Sequence, residues 1–387
     1  MKNFASGMRY TALWLLILSY HGFHADSYIQ SPNVVANNLR QHRATSLSQS
    51  TKTTSTTTTS SLPSSLPPWL PAFGTAALGG LLFGSDIGGS SSVTRILGSG
   101  VTELGILDPL QIGQVASSSL LGATTASAIL IVAGDKEIGR RAELITAASL
   151  FLSGTAIQST AISFSSLLFG RIVYGLGIGT AMHVAPLYIA ETSPDALRGK
   201  LVSLKEAVIV GGIVLGYLAG AIFGDTNDWR AVFETAIPFE AMMLFGAAAI
   251  VPESPRWLAL RNRPRDAIEA IKKVQGLDES EASRSVQSML SSSLSPKSTR
   301  EEEVDNNEDS VFKKLSEIIS SRYNRQALVI GCGLVLFQQL SGQPSVLYFA
   351  NRIFENAGLG FEAAGSLYLH SLFLLHFMKL IEVSTSL

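Results

Sequence analysis

The chain has 387 residues, 46% hydrophobic and only 15% charged, with a net charge of −1. Soluble domains carry about a quarter charged residues, so this composition points away from an ordinary globule, and the near-neutral balance offers nothing to nucleic acid. A single cysteine, Cys332, excludes an intrachain disulfide and a multi-cysteine metal site. Inside an apolar run it reads as a small packed hydrophobe.

Lys2 and Arg9 precede the short apolar run Thr11–Tyr20 and small residues near Ala25, the layout of a secretory signal over 1–25. Residues 26–68 form a Ser/Thr-rich tail with no Asp or Glu after Asp26, and Thr53–Ser61 is entirely Ser and Thr. Such a tract buries no core and is expected to be disordered and similar to a transit peptide. Spanning helices need roughly 20 mainly apolar residues. Residues 109–134, 144–170, 172–190, 207–224 and 326–351 contain no Asp, Glu, Lys or Arg. Seven spans are expected, near 69–93, 110–133, 143–162, 165–190, 202–224, 231–251 and 326–350, with a weaker one at 363–382. The fold class is therefore an all-α membrane protein, with a bundle over 69–252, a polar loop over 253–325 and further spans over 326–387. Within the loop, Pro264–Val274 has helical spacing, 280–310 reads as disordered, and Val311–Ile319 reads as a short amphipathic helix.

Positive charge gathers in alternate loops: Lys136, Arg140 and Arg141; Arg198 and Lys200; and Arg256 through Arg325. The positive-inside rule puts those loops on the cytosolic side or its topological equivalent. A cleaved signal would leave residue 27 on the opposite side. A second membrane crossing, as in a two-step organelle address, reconciles the two, and an uncleaved tail or misplaced start is the alternative.

Two charges stand out inside spans. Asp86 sits in Phe83-Gly84-Ser85-Asp86-Ile87-Gly88, and Arg171 opens the glycine ladder through Gly179. A carboxylate at bilayer depth costs on the order of 3 kcal/mol or more, so it is rarely there without a partner or a task. An acid and an arginine on separate spans suggest a protonation switch, because neutralising the acid weakens the pair. Glu240, about ten residues or roughly 15 Å into the sixth span, is expected to be neutral or partnered. His183 is expected to be packed or hydrogen-bonded rather than titrating. Three further motifs sit where helices leave the membrane: Gly139-Arg140-Arg141, Pro186–Glu191 followed by Arg198-Gly199, and Pro252–Leu258. Each offers Arg or Glu for ion pairs that hold helices in one conformation and release them in another.

With Gly170-Arg171, Trp229-Arg230 and Gln338-Gln339, these motifs resemble the sugar porter family of the major facilitator superfamily, from about Trp69 to Gly358. Ala181-Met182-His183, Ser203-Leu204-Lys205-Glu206 and Gln338–Tyr348 are closest to its plant and algal branch, which includes plastid and vacuolar glucose transporters and D-xylose–proton symporter-like proteins. The resemblance implies a six-helix N-terminal bundle, then the first one or two helices of a second bundle, the chain being truncated after span seven. It implies alternating-access transport of a monosaccharide, hexose or pentose, driven by a proton, without a cofactor or metal. Asp86 and Arg171 would couple the proton. Glu206, Gln338 and Gln339 would bind sugar, and Arg140, Arg141, Glu191, Arg198, Glu253 and Arg256 would form the gating network. Glu206 stands where the family usually has Gln, and Pro344 where it usually has Asn. Lys136 stands where the family's loop usually has Asp, with Asp135 one step earlier. The plastid envelope is the expected membrane, with vacuolar or plasma membrane as alternatives. A facilitative carrier and a non-transporting regulatory form are the other functional readings. An enzyme is not expected, since no nucleophile–base pair, metal cluster or phosphate loop is evident.

Overall fold

The computed structural model describes residues 66–100, 102–133, 138–224, 226–293 and 322–358. The signal, all but the end of the Ser/Thr-rich tail, the short helix expected at 311–319 and the weak span at 363–382 lie outside the described residues, as do Asp135 and Lys136. Every regular element among the described residues is helical.

The first five are long rods: α1 (Leu70–Gly98), α2 (Pro109–Ala133), α3 (Arg140–Ser159), α4 (Phe164–Thr192) and α5 (Arg198–Phe223). Pro71 sits at the start of α1, where a missing N–H costs nothing. Ser163 opens α4 with a capping box shared with Ser166.

The sixth span is broken into α6 (Trp229–Glu234), α7 (Ile237–Phe245) and a π-helical turn over Gly246–Ile250. Pro238 lacks the N–H that would bond the Glu234 carbonyl across the break, so one hydrogen bond of a continuous helix is missing there. The polar loop carries α8 (Pro255–Leu260), α9 (Pro264–Gln275) and α10 (Glu279–Ser293). The last corrects the expectation of disorder from residue 280. Asp278 accepts the Glu281 N–H at 2.8 Å. Ala282 and Val286 join a small core with Leu258, Ala267 and Ile271. The seventh span is also broken, into α11 (Arg322–Leu340) and α12 (Gln343–Asn356), at Gly342 with φ +74°.

Among the described residues, five helices are long and apolar enough to cross a membrane: Leu70–Gly98, Pro109–Ile131, Phe164–Thr192, Arg198–Phe223 and Trp229–Ile250. α3, expected as the third span, falls short because it carries Glu143, Thr155 and Gln158, all of them buried against the bundle. Leu121, Ile129, Phe169, Leu218, Ile222, Met242 and Phe245 are exposed around the outside, an apolar surface suited to lipid. The chain is a multi-pass membrane protein.

α1 packs along α5, and α4 packs against both α2 and α3. The α2–α4 seam is backbone on backbone: a Cβ on Gly175 would overlap the Ser119 carbonyl. That close approach sets the position of the site.

Candidate functional site

Arg171 precedes Gly175 by one turn, so it lies on the same face of α4 and points at α2. Val115 and Ser119 are likewise one turn apart on α2. On α1, Gly84 and Gly88 face the α5 backbone, and Asp86, between them, is turned to the other side. The result is a closed polar cluster. Arg171 is 0% exposed and Asp86 4%. Arg171 Nη1 donates to Asp86 Oδ1 at 2.8 Å and Nη2 to Oδ2 at 3.3 Å. Ser119 Oγ donates to Asp86 Oδ2 at 2.9 Å and accepts from Arg171 Nη2 at 2.9 Å. Arg171 Nε donates to the Val115 carbonyl at 2.7 Å, and its guanidinium lies 5.3 Å from the Phe233 ring centroid. Ser90 Oγ is a longer donor to Asp86 Oδ1, at 3.5 Å. Charge-assisted, forked contacts of this kind are the strong class of hydrogen bond.

A second cluster joins the helix ends that carry the basic loops. Arg140 Nε lies 3.5 Å from Glu191 Oε2 and Nη1 lies 3.4 Å from Glu143 Oε1. Glu191 Oε2 also accepts from Ser254 Oγ at 2.6 Å. Glu253 Oε1 accepts the Arg141 N–H at 3.1 Å and the Ser254 N–H at 2.9 Å. The Arg141 side chain caps the π-helical turn: Nε donates to the Ala247 carbonyl at 3.0 Å and Nη2 to that of Ala248. A π turn misaligns its carbonyls, and the guanidinium takes them up. Arg140, Arg141, Glu191 and Glu253 are thus brought together. Arg198 is not among them; it pairs locally with Asp195 at 2.6 Å, in solvent. Arg256 is exposed on α8. His183 Nδ1 lies 3.1 Å from Glu143 Oε2.

The three residues expected to bind sugar are all exposed. Glu206 is 62% exposed and its Oε1 lies 2.8 Å from Lys205 Nζ. Gln338 and Gln339 are exposed near the end of α11, where the Gln338 carbonyl accepts from Ser341 Oγ at 2.6 Å. Glu240 is fully buried and accepts from Thr155 Oγ1 at 2.6 Å; its Oε2 has no hydrogen-bond partner among the described residues.

α12 seals against the far half of α1, away from the basic loops. The Asn351 N–H donates to Ser91 Oγ at 3.1 Å and its Nδ2 to Ser92 Oγ at 2.8 Å. Tyr217 Oη donates to the Leu347 carbonyl at 2.8 Å. Sequence reasoning missed Ser119, Glu143 and Asn351. The hydroxyl run Ser117–Ser119 inside an apolar stretch was a signal for the first, and the Arg140–Glu143 spacing for the second.

A family model described as "Sugar (and other) transporter" matches residues 73–378. "D-xylose-proton symporter-like 3, chloroplastic" of Arabidopsis thaliana is 42% identical over 296 residues, covering 73% of this chain and 51% of the relative. "D-xylose-proton symporter-like 1" of the same plant is 38% identical over 333 residues, covering 82% and 62% respectively. The chain therefore spans between about half and 62% of these relatives' lengths. Among solved structures, the xylose transporter XylE from E. coli, in a partially occluded inward-open conformation, matches with TM-score 0.62 and 26% identity. That match covers 80% of this chain and 72% of XylE. The chain belongs to the sugar transporter family, and its bundle has the fold of the major facilitator superfamily proton:xylose symporter.

Proposed function

We propose that this chain forms the N-terminal bundle and the first helices of the second bundle of a proton-coupled monosaccharide transporter. Transport proceeds by alternating access, and the activity is transport rather than catalysis. One observation carries the coupling: an ionisable carboxyl, closed off from solvent, whose partner is a guanidinium on a different spanning helix. A proton arriving on Asp86 removes half of that pair, so the α1–α4 contact weakens when the site is loaded and re-forms when it empties. Relatives named as D-xylose-proton symporter-like support the same reading. The seal of α12 on α1 supports an inward-facing stage of the cycle, with the end carrying the basic loops towards the cytosol or its equivalent. Glu206, Gln338 and Gln339 supply the sugar contacts, since exposed carboxylate and amide groups match hydroxyl donors and acceptors. Arg140, Arg141, Glu191 and Glu253 act as the gate on the basic side, a set of ion pairs that must break for that end to open. The plastid envelope is the proposed membrane, in keeping with the chloroplastic relative.

The test is uptake by the full-length protein in proteoliposomes carrying a pH gradient. Wild type should concentrate monosaccharide and take up protons with it. Asp86→Asn should lose accumulation while keeping sugar exchange at equal concentrations. Accumulation by Asp86→Asn at the wild-type level would refute the coupling role and leave a facilitative carrier.

A further inference from the structure

Lys205 is a further buried charge that the coupling mechanism does not use. It is 3% exposed. Leu201, Lys205, Ile209 and Gly212 form the buried stripe of α5, which packs on α1. There Gly80 of α1 lies against Ile209 and the Lys205 carbonyl. An ammonium in such a seam is costly unless it is paired. Its ion-pair partner is its own neighbour, Glu206, at 2.8 Å. Adjacent residues on a helix point about 100° apart and do not ordinarily meet. The pair forms here because the flexible lysine side chain brings its ammonium to the adjacent carboxylate while itself staying buried.

Glu206 occupies the opposite kind of place. It is 62% exposed, eight residues into α5, or roughly 12 Å from its start at helical rise. A carboxylate exposed at that depth belongs on a water-lined face rather than against lipid. The pair therefore has a buried cationic half that fixes it and an exposed anionic half.

From this arrangement we propose that Lys205 is a positioning residue for substrate. It holds Glu206 as an oriented, acceptor-only carboxylate that reads the hydroxyls of a neutral monosaccharide. The inference rests on the sugar-transport reading above. One Glu206 oxygen is engaged by the ammonium, and the other is presented to a donor hydroxyl. An acceptor-only group rewards hydroxyls and offers no donor to the carboxylate of a uronate or the phosphate of a sugar phosphate. The buried ammonium also cancels the carboxylate's charge, so the pair gives no net attraction to cationic amino sugars.

The test is a set of variants in the full-length protein, assayed for initial rates with glucose, xylose and glucosamine, alongside thermal unfolding. Lys205→Met should raise KM for the neutral sugar roughly tenfold, the scale of one charge-assisted hydrogen bond, with little change in kcat. It should also shift preference towards glucosamine, because the carboxylate is left uncompensated. Lys205→Arg should restore KM. Should Lys205→Met fold poorly, the double variant Lys205→Met/Glu206→Gln keeps the question open to test. With both charges gone it should fold, and its KM should match that of Glu206→Gln alone. The lysine's role is overturned if Lys205→Met leaves both KM and sugar preference unchanged. It is equally overturned if the substitution raises KM as much in the Glu206→Gln background as in wild type. Failure of the wild-type protein to move any monosaccharide overturns the transport reading itself, and this inference with it.

Discussion

Substituting Arg171 by Lys separates charge from geometry at the coupling site. The guanidinium uses three nitrogens to make four hydrogen bonds, two to Asp86, one to Ser119 and one to the Val115 carbonyl. Lysine keeps the positive charge but concentrates its donors at one atom. An ammonium placed to meet Asp86 cannot also reach the Val115 carbonyl and Ser119 across the width of the fork. Two hydrogen bonds to a charged group are then lost, at about 1.5–3 kcal/mol each, or about 3–6 kcal/mol together. At about 2 cal/mol/K of unfolding entropy per residue, each kcal/mol moves the melting temperature of a chain this long by about 1 °C, so the expected drop is on the order of 5 °C. The assay is thermal unfolding in detergent followed by tryptophan fluorescence, with proton-driven uptake measured in parallel. Arg171→Met is the companion, since it removes the charge as well and leaves Asp86 buried without a cation, a loss of about 3–5 kcal/mol. If Arg171→Lys melts within about 2 °C of wild type and still concentrates sugar, the forked geometry is irrelevant and only charge matters. If Arg171→Met is equally harmless, the pair holds nothing together.

Asn351→Ala removes the side-chain bond to Ser92 but leaves the backbone bond to Ser91. A neutral hydrogen bond contributes about 1 kcal/mol, so release of α12 from α1 should become about fivefold more frequent. The check is maleimide labelling of an Ala350→Cys probe, with Cys332→Ser to remove the native thiol; an unchanged labelling rate would refute the latch. On the polar loop, the backbone N–H of Glu281 and the Ser280 hydroxyl hold the Asp278 carboxyl below its ordinary value. A depressed value means the cap's contribution is present above the unfolded value and lost as pH falls through the folded one. Protection of the first-turn amides of α10, taken relative to their intrinsic exchange rates, should therefore fall on acidification below the ordinary aspartate range. In Asp278→Ala that protection should be low throughout.

The spans were legible because bilayer solvation imposes one rule on every residue: long runs without charge. That rule gives lengths and is blind to interruptions. Pro238 and Gly342 each lie inside an apolar run, and hydropathy cannot see that one removes a donor and the other takes up a left-handed turn. It found α3 through the charge-free run 144–170 but said nothing of its buried polar residues Glu143, Thr155 and Gln158. The 280–293 helix was missed for the converse reason. Its serines suggested disorder, while Ala282, Val286, Met289 and Leu290 already traced an apolar stripe at helical spacing.

The site was partly legible because charge inside a run is conspicuous, which singled out Asp86, Arg171 and Glu240. The sequence does not say which charges face each other. That depends on rotation about helix axes, and those rotations are fixed by residues without functional groups. Gly175 lets α4 lie on the backbone of Ser119, and only then does Arg171, one turn earlier, reach Ser119 and Asp86 together. Arg198 and Arg256 look like Arg140 and Arg141 in a list of motif residues, but among the described residues Arg198 pairs locally with Asp195 and Arg256 is exposed. Lys205 shows the same logic from the other direction. Its neighbour Glu206 carries the recognisable position, yet the lysine's place in the α1–α5 seam decides which way that carboxylate can point. Glycine contacts orient the helices, orientation chooses the ion pairs, and the ion pairs give a proton or a sugar something to change.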